Sequence, residues 1–360
     1  MSIHFHKLKI KDIRKETGEC VSIAFSIPDE LKDTYSFFHG QNITLRTIID
    51  GEDLRRSYSI CTAPFENELR VAVKKAEFGL FSRYANEHLK AGDEIDVLPP
   101  TGRFYTNLDA THRKNYIAFA AGSGITPVIS IIKTTLKTEP FSQFTLIYNN
   151  RSRSAIIFLE ELEALKNIYL DRFTLIHILS REKTDAPINS GKINESKLEE
   201  LTKLIDYKKA DEIFICGPEA MIFSTEKFLI AKGIDKKKVH FELFTTPGSE
   251  RKSGTGELAS EIKNTGPVSV ITIKIDGRSF DFNLSYDGDC ILDAALKQGA
   301  DLPFACKGGV CASCRAKLVE GEVEMEMNWA LEPEEVAQGY ILTCQSHPKT
   351  KKVVIDFDNR

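Results

Sequence analysis

Ten consecutive residues constrain this chain more than any others: Ala305-Cys306-Lys307-Gly308-Gly309-Val310-Cys311-Ala312-Ser313-Cys314. Cys306, Cys311 and Cys314 stand at C-x4-C-x2-C spacing, and Cys344 follows inside Leu342-Thr343-Cys344-Gln345. That is the ligand spacing of a [2Fe–2S] cluster. Two irons bridged by sulfides need four thiolates, and a glycine-bearing loop can wrap three of them around one side. Gly308 and Gly309 carry no Cβ, so their backbone can approach a cluster closely and aim N–H groups at its sulfurs. A structural zinc site normally uses two C-x2-C-like knuckles, and this chain has one. A disulfide pair is the other competing reading. A [2Fe–2S] module takes one electron at a time, so the rest of the chain should show where electrons come from.

At roughly 100–200 residues per domain, 360 residues make two or three domains. The net charge of -4, from 48 basic and 52 acidic residues, argues against nucleic-acid binding, which needs a basic face. Cys20, Cys61, Cys216 and Cys290 are scattered, and Met1-Ser2-Ile3-His4-Phe5-His6-Lys7 lacks the apolar stretch of a signal peptide. Reduced thiols in a cytoplasmic protein are expected. No formal charge falls between Lys114 and Lys133, long enough for a membrane span. Gly122, Ser123, Gly124, Thr126 and Pro127 interrupt that run, so strand, turn and helix are expected there, with no membrane span.

The first hundred or so residues alternate in short β-like runs such as Val21-Ser22-Ile23-Ala24-Phe25 and Leu69-Arg70-Val71-Ala72-Val73-Lys74. Turn signals at Asp50-Gly51, Ala91-Gly92-Asp93 and Pro99-Pro100-Thr101-Gly102 separate them, which suggests a small antiparallel barrel. Arg56-Ser57-Tyr58-Ser59 offers a guanidinium fork, a flat ring and small hydroxyls, or is an ordinary strand with an exposed arginine. Gly79-Leu80-Phe81-Ser82-Arg83-Tyr84 opens a helical stretch that Ser82 is expected to cap, and a helix N-terminus is an anion site. From Asn115 strands alternate with helices, the mark of a parallel α/β sheet. Tyr116-Ile117-Ala118-Phe119-Ala120 runs into Ala121-Gly122-Ser123-Gly124-Ile125-Thr126-Pro127, where a pyrophosphate can lie against a helix N-terminus. Pro127 stands where a third glycine would complete the dinucleotide fingerprint. Glu212-Ile213-Phe214-Ile215 ends at Cys216-Gly217-Pro218, again at the carboxyl end of a strand, where open α/β sheets bind ligands.

Four regions are therefore expected: a barrel domain over 1–110, an α/β nucleotide-binding domain over 111–245, a linker over 246–267, and a compact α+β module over 268–360. In this order the chain resembles the ferredoxin–NADP reductase superfamily fused to a plant-type ferredoxin, whose third domain is a β-grasp. The resemblance runs through Arg55 to Cys61, Phe81 to Tyr84, Ala121 to Pro127, Phe214 to Pro218, Cys306 to Cys311 and Leu331-Glu332-Pro333. More narrowly it is similar to oxygenase reductases, those of the di-iron phenylacetyl-CoA epoxidases foremost; steroid, alkane and aromatic hydroxylase reductases share the architecture. The order His39-Gly40-Gln41 departs from the family's Pro-Gly-Gln.

The resemblance implies FAD, a [2Fe–2S] cluster and NADPH as redox groups, and a protein electron acceptor. It places Arg56 at the flavin phosphates, Tyr58 against the flavin ring and Ser59 near its N5, with Ser57 also cofactor-binding. It places Val73, Lys74, Gly79, Phe81 and Ser82 along the FAD diphosphate. Gly122, Gly124, Thr126 and Pro127 would bind the nicotinamide dinucleotide, with Cys216 beside the nicotinamide and Gly217 and Pro218 also cofactor-binding. Glu242 and Phe244, from Phe241-Glu242-Leu243-Phe244, would lie near the flavin, and Ser59, Cys216 and Glu242 are the candidate catalytic residues. Cys306, Cys311, Cys314 and Cys344 would hold the metal. A 2′-phosphate calls for cations and a bare ribose for an acid. Arg151 and the pair Ser180-Arg181 favour NADPH, with NADH as the alternative. Leu318 to Val336 carries seven glutamates and no lysine or arginine, which reads either as a solvated strand face or as a docking patch for a basic partner. A redox-sensing iron–sulfur subunit is the reading from another class.

Overall fold

The structure, a computed structural model, describes residues 4–244 and 267–359. Among the described residues, His6–Leu54 with Tyr58–Leu243 forms one compact unit, and the second takes in Phe244–Arg360 with Met1–Phe5 and Arg55–Ser57. The expected linker, 246–267, lies outside the described residues except for Pro267.

The barrel comes first. Strands β1 (His6–Thr17), β2 (Cys20–Ser26), β3 (Asn42–Ile49), β4 (Glu52–Ser59), β5 (Leu69–Lys74) and β6 (Glu94–Val97) make one sheet in the order β4-β3-β6-β1-β2-β5. A bridge between Ile60 and Val71, with the Cys61 N–H donating to the Arg70 carbonyl at 2.9 Å, joins the two edge strands and closes the sheet. Closure removes the exposed edges that an open antiparallel sheet would present. Helix α1 (Leu80–Glu87) starts one residue after Gly79. Ser82 therefore sits inside the helix and does not cap it. Its hydroxyl donates to the Gly79 carbonyl and accepts the Ala76 N–H, both at 3.0 Å, which pins the turn leading into the helix.

The second layer of this unit is a parallel sheet. Strands β7 (Asn115–Ala121), β8 (Gln143–Asn150), β9 (Phe173–Leu179), β10 (Glu212–Cys216) and β11 (Val239–Glu242) lie in the order β11-β10-β7-β8-β9. Helices α2 (Ile125–Thr138), α3 (Leu159–Ile168), α4 (Glu195–Leu201) and α5 (Glu219–Ala231) connect them. Tyr116 to Ala120 is buried at every position, as a parallel strand covered on both faces requires. The strand order switches sides between the parallel neighbours β7 and β10, so their carboxyl ends frame the crevice where open sheets take ligands. The uncharged stretch before Lys133 is strand, turn and helix as expected, and α2 is buried from Ile125 through Leu136. No helix among the described residues is long and apolar enough to cross a membrane.

The second unit holds β12 (Val268–Ile275), β13 (Arg278–Ser285), α6 (Ile291–Lys297), β14 (Arg315–Glu320), β15 (Val323–Met325), α7 (Pro333–Ala337), β16 (Tyr340–Leu342), β17 (Ser346–Pro348) and β18 (Lys352–Asp356). Its mixed sheet runs β13-β12-β18-β14-β16, and β15 pairs only with β17. Ile271 and Ile273 of β12 and Val353 and Ile355 of β18, two apart on their strands, fill the core with Leu292 and Ala295 of α6. The α+β expectation holds, and the multidomain order of barrel, α/β sheet and α+β module stands.

Candidate functional site

Three strand ends meet in the first unit. The register puts Cys216 between Ala120 of β7 and Glu242 of β11. The turn after β7 crosses this point closely, because a Cβ on Gly124 would lie 2.1 Å from the Cys216 carbonyl oxygen. Only glycine fits such an approach. From the barrel, Ser59 reaches the same place, and its hydroxyl donates to the Glu242 carboxylate at 3.1 Å. Ser59, Cys216 and Glu242 thus converge although 183 positions separate the hydrogen-bonded pair. Cys216 is fully buried, and desolvation, then the nearby Glu242 carboxylate, push its thiol well above the usual range. It is a compact neutral wall at neutral pH, not a nucleophile.

The dinucleotide turn is braced from behind. The Tyr148 hydroxyl donates to the Gly122 carbonyl at 2.9 Å, and the Thr126 hydroxyl donates to the Ser123 carbonyl at 3.0 Å. Tyr148 was not a sequence candidate; its buried ring inside an apolar strand gave no signal of this contact. No side chain caps the N-terminus of α2, and Pro127 is buried in its first turn. The Gly122–Gly124 turn runs straight into α2, so the Ile125 N–H is spent on the Gly122 and Ser123 carbonyls and Pro127 has none; the uncapped turn itself is the place for a pyrophosphate. Gly217 and Pro218 follow Cys216 and lead into α5. The loops after β8 and β9 are tied together: Ser180 N–H reaches the Asn150 carbonyl at 2.9 Å and Arg181 N–H the Arg151 carbonyl at 2.8 Å. Arg151 and Arg181 are exposed beside each other there, and Glu182, unforeseen from sequence, accepts the Arg153 N–H at 2.7 Å.

On the barrel side, the Tyr58 and Phe81 rings lie 5.6 Å apart, centroid to centroid. Gly79 gives α1 no side-chain cap, leaving its first turn open to an anion. Lys74 ends β5, next to buried Val73, and its ammonium lies 3.7 Å from the position a Cβ on Gly122 would take. The barrel's candidate phosphate cation and the nucleotide turn are therefore neighbours. Arg56 and Ser57 precede Tyr58 on β4; Arg56 is exposed, with one guanidinium nitrogen on the Arg55 carbonyl at 2.7 Å. Phe244 is exposed. The uncapped α1 turn and the uncapped Gly122–Gly124 turn, with Lys74 beside the latter, have the chemistry to hold a dinucleotide flavin and a nicotinamide dinucleotide.

In the second unit the four candidate sulfurs form two pairs. Cys306 and Cys311 share a hydrogen bond, as do Cys314 and Cys344. Within each pair one thiol is pushed up and its partner is drawn down by that bond, Cys311 and Cys344 being the lowered members. Among the described residues no three His, Cys, Asp or Glu side chains converge as a single-ion site would require. The C-x4-C-x2-C spacing with one distant cysteine suits a two-iron cluster better than one zinc. The amides also fit: Gly308 N–H points at Cys306 Sγ at 3.3 Å, and the Val310, Ser313 and Gly309 amides serve the other sulfurs or the same one. A Cβ on Gly309 would lie 2.9 Å from the Met327 carbonyl oxygen, so the loop packs tightly on the segment after β15. Lys307 and Ala312 adopt positive φ, a strained choice for residues with side chains and one invisible to spacing arguments. Gln345 bridges the loop to the fourth candidate cysteine, donating to the carbonyls of Lys307 and Cys344.

The acidic stretch is less bare than its composition implies. Its alternation forms a strand only over Val323–Met325. Glu320 pairs with Lys352 at 2.7 Å, Glu326 with His347 at 3.0 Å, and Glu324 with Lys349. Glu335 is buried against Arg315. Glu322, Glu332 and Glu334 take no cation among the described residues.

Comparison with known proteins agrees with this geometry. The Oxidoreductase FAD-binding domain matches residues 7–105, the Oxidoreductase NAD-binding domain residues 119–227, and the 2Fe-2S iron-sulfur cluster binding domain residues 273–349. The chain is 46% identical to a subunit of the 1,2-phenylacetyl-CoA epoxidase of Escherichia coli K12, over 98% of each chain. It is 32% identical to the ferredoxin reductase component of 3-ketosteroid-9-alpha-monooxygenase of Rhodococcus rhodochrous, over 97% of this chain and 96% of that one. Phthalate dioxygenase reductase shares the fold over 98% of both chains, with a TM-score of 0.56 at 22% identity.

Proposed function

The chain belongs to the family of oxygenase reductase components that join FAD-binding, NAD-binding and 2Fe-2S domains, and on that premise we propose that it serves the di-iron oxygenase of a phenylacetyl-CoA epoxidase, with NADPH as donor. The full-length similarity to a subunit of that enzyme carries the choice of partner. When bound, flavin and cluster supply the redox chemistry, converting a hydride from the nicotinamide into single electrons. The chain's own residues bind, orient and insulate.

Gly122, Gly124, Thr126 and Pro127 seat the dinucleotide, and Cys216, Gly217 and Pro218 form the wall beside its reactive ring. Ser59 presents its hydroxyl to the flavin edge, and Glu242 orients that hydroxyl by holding its proton. Arg56, Ser57, Lys74, Gly79 and Ser82 grip the flavin's phosphates; Tyr58, braced by Phe81, takes one face of its ring, and Val73 and Phe244 supply apolar contact. Arg151, Ser180 and Arg181 meet a 2′-phosphate; Glu182 engages the Arg153 backbone, which leaves the arginines to set the preference. Cys306, Cys311, Cys314 and Cys344 hold the cluster in a loop whose amides face the sulfurs. The free thiols support a cytoplasmic location.

Two assays test this. The purified chain, given NADPH, should support turnover by the oxygenase components of a phenylacetyl-CoA epoxidase and not by those of a ketosteroid hydroxylase; equal support of both overturns the partner. A kcat/KM for NADH equal to that for NADPH overturns the donor.

A further inference from the structure

Lys133 ends the uncharged run of the sequence, and the structure buries it. Its side chain is 6% exposed, and its ammonium lies 2.7 Å from Glu66 of the barrel and 2.8 Å from Glu161 of α3. A buried lysine is costly unless paired. Burial opposes its charge, but Glu161 and Glu66 outweigh burial and hold its pKa above the ordinary lysine range. One helical turn earlier, the fully buried Ser130 hydroxyl donates to the Thr62 carbonyl at 2.6 Å. Two polar contacts in register thus fasten α2 to the barrel turn at 62–66. That turn is itself stiff: the Glu66 carboxylate accepts the Ala63 N–H, and the Thr62 hydroxyl donates to the Glu68 carbonyl.

The two things so joined both carry redox partners. Helix α2 is a rigid rod whose N-terminal end is the Gly122–Gly124 turn, and Thr62 lies three residues beyond Ser59. We propose that Lys133 is a positioning residue for hydride transfer: by bridging Glu66 and Glu161 it sets the placement of the dinucleotide turn against the strand carrying Tyr58 and Ser59. The proposal rests on the reading that NADPH reduces a flavin at that strand. An apolar residue at this position would fill the space but leave Ser130 as the one of these two polar contacts still holding the helix to the barrel turn. A shift of about 1 Å at the reacting atoms costs on the order of 10²-fold in rate.

A cleft of about 440 Å³, lined by Arg14, Glu16, Glu66, Lys133 and Glu161 among others, opens beside the lysine. Water there can solvate both carboxylates once the cation is gone, so Lys133→Met is expected to fold. In the flavin-loaded protein, Lys133→Met should reduce flavin at saturating NADPH on the order of tenfold or more slowly, with weaker long-wavelength charge-transfer absorbance and nearly unchanged nucleotide affinity. Lys133→Arg should recover most of the rate. In flavin-free protein, amide exchange across 62–66 and 125–138 should rise in Lys133→Met. A wild-type rate and charge-transfer band in Lys133→Met overturn the proposal, as does a rate loss that merely tracks lost flavin. Should Lys133→Met not fold, Glu66→Gln removes one arm of the bridge while keeping the acceptor for Ala63 N–H; an unchanged flavin reduction rate there overturns it equally. Failure of NADPH to reduce wild-type flavin would instead sink the functional reading itself.

Discussion

The two units hold redox groups by opposite means. On the proposed reading the second commits four cysteines, three of them within nine residues, to bonds with metal. The first has no covalent ligand for either nucleotide; it offers turns, uncapped helix ends and a few charges drawn from strands far apart in sequence. Covalent ligation concentrates function into side chains of one type at fixed spacing. Non-covalent grip spreads it over backbone geometry, where the side chain matters mainly by being absent, as at Gly124, or by being tied down, as at Ser59.

The sharpest way to break that comparison is Cys311→Ser. Loss of one thiolate should abolish the cluster's visible absorbance and cut electron delivery to the protein acceptor to background, while NADPH-driven ferricyanide reduction stays within about twofold of wild type. If ferricyanide reduction falls as far as acceptor reduction, the units are not separable in function. Gly124→Ala is the counterpart in the first unit. The added methyl must displace the Cys216 backbone, so NADPH reduction of flavin should drop on the order of 10²-fold while dithionite still reduces the cluster normally. An unaffected rate would mean that the turn does not seat the dinucleotide.

These two predictions differ in how visible their residues were. The 2Fe-2S domain could be read directly because cysteine spacing encodes it. The meeting of Ser59 with Glu242 could not, because a parallel register and a barrel closure must both form before those residues touch. The family resemblance named them; no local pattern would have. Ser82 was misplaced as a cap because Gly79, with no side chain to advertise a boundary, begins the helix. The acidic stretch looked open because its cations, His347, Lys349 and Lys352, come from positions more than twenty residues later. Lys133 looked like the end of an apolar run, and its burial between two carboxylates depends on two elements packing together.

A smaller effect separates the units by stability. Glu139, fully buried at the end of α2, accepts from Ser142 at 2.7 Å, Tyr116 at 3.0 Å and the Asp109 N–H at 3.1 Å, and pairs with His112 at 2.7 Å. Burial opposes its ionisation, but these donors outweigh it and hold the carboxyl below the ordinary range. A depressed pKa means stabilisation that is present above the unfolded carboxyl pKa and is lost as pH falls through the folded one. Glu139→Gln should therefore cost about 2 kcal/mol near neutral pH and progressively less in acid. Chemical denaturation followed by flavin fluorescence should register the loss, and cluster absorbance should not. Equal shifts in both signals would show that the two units unfold as one.

The smallest expected effect concerns the surface. With four of seven glutamates already paired, replacing Glu332 and Glu334 by glutamine should lower acceptor turnover at low salt only a few-fold, by about 1 kcal/mol at most, and flatten its dependence on ionic strength. A salt dependence identical to wild type would assign this stretch to the fold alone.

The central claim is that electrons enter the first unit as a hydride and leave the second singly. Anaerobic titration of the intact protein with NADPH, followed by visible absorbance and low-temperature electron paramagnetic resonance, tests it most directly. The account predicts bleaching of both flavin and cluster bands and the rise of a reduced [2Fe–2S] signal without any mediator. Complete flavin reduction with the cluster still oxidised, yet reducible by dithionite, would contradict it.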